Sequence, residues 1–130
     1  MTPRPRAKDR DQHGSGSVLT LITVGLVLMA FLVVIVVGSY LVADHRAVAA
    51  ADQAALSGAR AHGSPSAGHT ACEVAGRSAE LNGARVVECR LSGDRVDYVV
   101  QVVVAVDVGV VWPGLPTEVQ AGAQAGRMSG

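Results

Sequence analysis

Cys72 and Cys89 are the only two cysteines in this chain of 130 residues. If the segment that carries them is exported to an oxidising compartment, an even pair reads as one disulfide. Closing a loop of that length is worth about 3 kcal/mol in the chain-entropy picture. Two buried free thiols are the alternative. Apart from His69, three residues before Cys72, no histidine lies near either cysteine, so a metal site is not expected. His13, His45, His62 and His69 are scattered, and only His62 and His69 share a region. No acid or nucleophile is placed to make a triad or a metal shell with them, so each reads as a solvated side chain. Glu73 and Glu80 fall seven apart on a predicted helix, with Glu73–Arg77 as an ordinary ion pair. Gly14-Ser15-Gly16 does not follow a strand and is not a phosphate loop. These residues predict no catalytic group, no cofactor, no metal and no small-molecule substrate. The chain reads as a non-enzyme.

The elements that hold these residues begin with a membrane segment. Val18–Ala43 is a run of 26 positions without a charged side chain. About 20 apolar residues cross the hydrocarbon core of a bilayer, so the run can span with some tilt. Arg4, Arg6, Lys8 and Arg10 precede it, against Asp9 and Asp11. Beyond it only Arg46 is basic near the boundary. The positive-inside rule then predicts a cytoplasmic N-terminus and an extracytoplasmic portion from Asp44 onward, in a single-pass cell-membrane protein. The formal net charge is zero, which gives nucleic-acid binding no electrostatic support. Three readings of the run compete. A cleaved secretory signal would use the small residues Ala49–Ala51, but the run exceeds the usual apolar region of such signals. An uncleaved anchor is the second. The third is a prepilin-type leader cut after Gly14 or Gly16, flanked by Ser15 and Ser17, which leaves the apolar helix on the mature protein.

The expected organisation is a basic N-terminus or leader (1–17), a transmembrane helix (18–43), a helical extension (44–61) and a small head with a Gly/Ala-rich tail (62–130). The extension is rich in alanine, the best helix former, with no Gly or Pro until Gly58. Val48, Ala51, Ala55 and Leu56 share one face by their spacing. Ala50, Ala54 and Gly58 form a second strip, small enough to admit a neighbouring helix. Asp52 is the one charge among Ala49–Ala55. Residues 63–68, rich in Gly, Ser and Pro, break the helix. Thr70 and Glu73 have the spacing of a capping box for a second helix to about Leu81, ended by Asn82-Gly83. A short strand (86–91), a turn at Ser92-Gly93-Asp94 and a long alternating strand (96–110) follow. In this reading Cys89 points with Val87 and Leu91, and a Cys72–Cys89 bridge clamps helix to sheet. The fold class is α+β: a long N-terminal helix, a short second helix and a small antiparallel sheet. Residues 117–130 form a last edge strand or fray. Aromatic content is 3%, so the head lacks bulky core residues and needs help from a cross-link, the membrane helix or partners.

Several of these stretches together are similar to a known family. The Asp-x-x-Gly-Ser-Gly-Ser opening (Asp11–Ser17), the apolar run, His45-Arg46-Ala47 and Ala-Ala-Asp-Gln-Ala-Ala-Leu (Ala50–Leu56) resemble TadE/TadG-like proteins of tight-adherence pilus systems. Cys72, Asn82-Gly83-Ala84-Arg85, Cys89, the Val-alternating strand and the Ala-Gly-Ala-x-Ala-Gly tail (Ala121–Gly126) resemble the short actinobacterial TadE-like type. The resemblance implies a pilin-like architecture and a minor pilin or pseudopilin: a non-enzymatic subunit that helps assemble a Tad (Flp-type) pilus or a related secretion system. The partners it implies are the inner-membrane platform proteins, the Flp-type pilin and a prepilin peptidase. Prepilins usually carry Glu at the fifth mature position. Here that position is Leu19 or Leu21, and no acidic residue occurs from Gly14 to Ala43. A reading from a different class is a membrane-anchored extracytoplasmic module whose head binds an envelope ligand and folds alone from about residue 62.

Overall fold

A computed structural model describes residues 2–3, 15–64 and 68–129. The element order is α1 (Ser15–Gly63), α2 (Ala71–Leu81), β1 (Arg85–Gly93), β2 (Tyr98–Asp107) and β3 (Glu118–Arg127). The fold is α+β. Two compact units divide within α1, Met1–Ile35 and Val36–Gly130.

In the first unit, every side chain described from Gly16 to Ile35 is exposed. Thr20 and Thr23 turn their hydroxyls back onto the helix, donating to the carbonyls of Gly16 and Thr20. Those donors are satisfied without water, as an apolar solvent requires. The helix is long and apolar enough to cross a membrane.

The second unit is built on an alanine face. Ala43, Ala47, Ala50, Ala51, Ala54, Ala55 and Ala59 are buried on α1. They recur at the three- and four-residue spacing of one helix face. Their partners are the inward residues of β2: Tyr98, Val100, Val102, Val104 and Val106, continued by Val108. Bulk comes from the branched valines of the sheet, and the helix contributes only small side chains. Residues 44–61 are therefore part of the head's core as well as an extension of the apolar helix. α1 runs antiparallel to β2: the Tyr98 hydroxyl donates to Ala59 O at 2.9 Å, while the Tyr40 hydroxyl bonds Pro116 O beyond the other end of β2.

The sheet is an antiparallel meander in the order β1-β2-β3. The tail residues form a full edge strand, with Ala121, Ala123 and Ala125 paired to Val104, Val102 and Val100. A bulge between Val86 and Glu88 changes the facing of β1. Val86 sits opposite Val104 and Cys89 opposite Val102, so both point inward. Val87, expected beside Cys89, is exposed. Strict alternation carries Cys89 to the side of Val87, and one extra residue reverses that parity. The long strand is also shorter than its pattern, because Val96 and Val110 lie outside β2. α2 begins at the N-cap Thr70, whose side chain accepts from Glu73 N. Glu73 does not reach back, nor does it pair with Arg77. Its carboxylate meets His69 Nδ1 at 3.1 Å.

Candidate functional site

Gly14, one of the two expected cleavage positions, lies outside the described residues, as does His13. Gly16 lies in the first turn of α1, with open space around the position of a Cβ. Cys72 and Cys89 are brought to disulfide distance, Sγ–Sγ 2.06 Å and Cα–Cα 5.9 Å. They join the first turn of α2 to β1 across 17 residues of chain. The link fastens α2 beside the sheet at the place where α2 is otherwise held by the small contacts of Ala71, Ala75 and Ala79.

Ala50, Ala54 and Gly58 face inward, not toward a neighbouring chain. Ala50 and Ala54 are almost fully buried within the head. Gly58 marks the crossing of α1, α2 and β2. A Cβ there would stand 2.9 Å from Ala71 O, 3.2 Å from Val100 Cγ1 and 3.3 Å from Ala75 Cβ. Beside it the Ser57 hydroxyl bonds the Ser78 hydroxyl at 3.1 Å and donates to Gln53 O. The strip does what small residues do, admitting a close neighbour, and the neighbour is this chain's own α2 and sheet. Outward on α1, beside the exposed Asp44, His45, Arg46, Ala49, Gln53 and Arg60, runs a line of Val48, Asp52 and Leu56, spaced four apart and all exposed.

The histidines divide. His45 and His69 are exposed, as a solvated side chain should be. His62 packs its ring edge-on to Tyr98 at 4.5 Å, and its Nε2 is buried without a hydrogen-bond partner. Among the described residues no group of three or more His, Cys, Asp or Glu side chains is placed to hold a metal ion.

Three features escaped the sequence reading. Arg85 Nη2 reaches Glu118 Oε1 at 2.7 Å, from β1 to β3 over the outer face of β2. Ala105, opposite Arg85 in the β1–β2 register, is buried on that outer face. Asp97 accepts from the backbone and hydroxyl of Ser129. The β2–β3 loop is ordered by an Asp107–Gly109 turn and by Leu115 N donating to Trp112 O at 3.1 Å. None follows from periodicity: the first two join residues brought together only by strand pairing, and the third is local turn geometry in a loop.

Residues 14–61 match the family described as putative Flp pilus-assembly TadE/G-like. The chain carries a TadE/G-like segment. Its bounds nearly coincide with α1, so the matched part holds both the apolar run and the alanine face. The likeness drawn from Cys72 to Gly126 falls outside those residues. No curated protein and no solved structure shows a significant match to the chain. The TadE/G-like segment and its apolar helix support a Tad-related membrane subunit.

Proposed function

We propose that the chain is a non-enzymatic, minor pilin- or pseudopilin-like subunit of a Tad pilus or related secretion apparatus. It is held by one span, with its N-terminus cytoplasmic and its head outside. The observation that carries this reading is that one TadE/G-like helix has two duties. Its apolar part is exposed throughout as far as Ile35, and its alanine part forms the floor of the head's core. The helix that carries the apolar run thus also supplies the core of the head. Basic residues before the span support the orientation. The inner-membrane platform, the Flp-type pilin and a prepilin peptidase are the proposed partners. Without an acidic residue near Leu19 or Leu21, the subunit acts as a resident assembly factor and not as a fibre subunit held by the usual amine–carboxylate pairing.

With Ala50, Ala54 and Gly58 occupied inside the head, the exposed line of Val48, Asp52 and Leu56 carries the large apolar side chains of the extension that are left for a partner. The experiment is cross-linking and mild-detergent purification of the full chain from its native membrane. Co-purification with Tad components, lost in Val48→Asp/Leu56→Asp while the head stays folded, is the expected result. A chain that purifies alone under cross-linking sinks the assembly reading. The same preparation yields an intact mass, and a full-length value is expected for a resident factor. A chain shortened to the residue after Gly14 or Gly16 would make it a processed pilin.

A further inference from the structure

We propose that the β2–β3 loop is a second membrane contact, seating Trp112 in the interfacial layer of the bilayer next to the end of the span. This inference rests on the reading of α1 as a membrane anchor. From Val108 to Thr117 there are ten consecutive residues without charge, bounded by Asp107 and Glu118. Within that stretch Val111 is 84% exposed and Trp112 53%, and Leu115 is exposed too. Single exposed apolar residues need no explanation, but three on one short loop mark a surface for an apolar partner.

Two observations name the bilayer as that partner. Tyr40 lies inside the uncharged run Val18–Ala43, and its hydroxyl bonds Pro116 O. That contact holds the loop against the last turns of the apolar helix. The loop must sit where the run meets the bilayer surface. Second, Tyr40 and Trp112 are the amphipathic aromatics that collect at the headgroup level. The loop is also shaped in advance. Pro113-Gly114 form the corner closed by the Leu115–Trp112 hydrogen bond, and Gly114 has φ 87°, as the third position of a type II turn requires. The apolar side chains are thus presented without an ordering cost at the moment of contact. The charged pair of strand ends, Asp107 opposite Glu118, marks the polar limit of the insertion.

Trp112 is the only tryptophan, so its emission reports on the loop alone. The full chain is reconstituted into phosphatidylcholine/phosphatidylglycerol vesicles and tested for flotation after carbonate washing. Trp112 should emit to the blue of its position in detergent-free buffer. It should lose emission to phosphatidylcholine brominated high on the acyl chain, and resist aqueous acrylamide. Val111→Asp, at a position too exposed to disturb the core, should return the emission toward the red and restore acrylamide quenching. A chain that floats but whose Trp112 is quenched by acrylamide and untouched by bromolipid overturns the loop contact and leaves the anchor intact. A Val111→Asp chain with unchanged emission overturns it too. A chain that does not float overturns the anchor itself, and the loop contact with it.

Discussion

Asp97 shows how a single exposed side chain can close the head. Ser129 donates its backbone N–H at 2.6 Å and its hydroxyl at 2.7 Å to the same carboxylate oxygen. These bonds, the backbone one foremost, hold the carboxyl below its ordinary value of 3.8, with Arg127 adding a smaller attraction. Because the folded carboxyl is the stronger acid, the clasp is fully present above its unfolded value. It is lost as pH falls through the folded one. Proteolysis from the C-terminus, or amide exchange at Ser129, should be slow at neutral pH and rise once the pH drops below that ordinary value. Asp97→Asn should show fast exchange at every pH; an equal rate in wild type and variant at neutral pH would remove the clasp. Sequence reading missed Asp97 because its partner lies 32 residues away and meets it only after β2 and β3 pair. His62 was missed for the same kind of reason: Tyr98, its neighbour, comes from another element.

At the scale of elements, α1 had to be both a membrane helix and a packing surface, and the residue types show it. Both α-helices and the alternating strand were legible, because periodicity and caps are local. The bulge at Val87 was not, since nothing in Val86–Leu91 announces an extra residue until it faces β2. The small strip was legible as a packing face and misread as to its partner. Gly58 tests the corrected placement. In an open helix, replacing Gly gains about 1 kcal/mol of propensity. Here the new side chain meets the backbone carbonyl of Ala71, which cannot yield as a flexible side chain would. Overpacking costs up to about 3 kcal/mol, so Gly58→Leu should lose roughly 2 kcal/mol net in thermal unfolding in detergent. Gly76 on α2 meets nothing within 4 Å, and Gly76→Ala should gain about 0.5–1 kcal/mol. Equal effects at the two glycines would mean that Gly58 faces a partner, not the core.

At the scale of the whole molecule, the head depends on α1. Val100, Val102 and Val104 are the largest fully buried side chains among the described residues, and the inward face of β2 is covered by the alanines of α1. A head cut at residue 62 keeps the disulfide and the sheet but uncovers that valine face. Each valine returned to water costs about 1.5–3 kcal/mol. Removing that much from a small domain is comparable with its whole stability margin. Residues 62–130 alone should therefore aggregate or stay unfolded in circular dichroism, whereas residues 40–130 should fold. A well-folded fragment from residue 62 would revive the independent binding module. It would also weaken the assembly reading, which rests on α1 supplying the head's core.

The order of residues alone determined the apolar run, the alanine periodicity, the α2 cap, the Val-alternating strand and the pair of cysteines. Each of these is a short-range pattern read within a few turns or strand positions. Only the tertiary structure decided what the patterns meet. It turned the small strip toward the head's own sheet, moved Cys89 into register with Val86, tied Asp97 to Ser129 and set the Trp112 loop beside Tyr40. Those outcomes depend on contacts between distant residues, whose energies are set by the shape of the packed chain and not by any one segment.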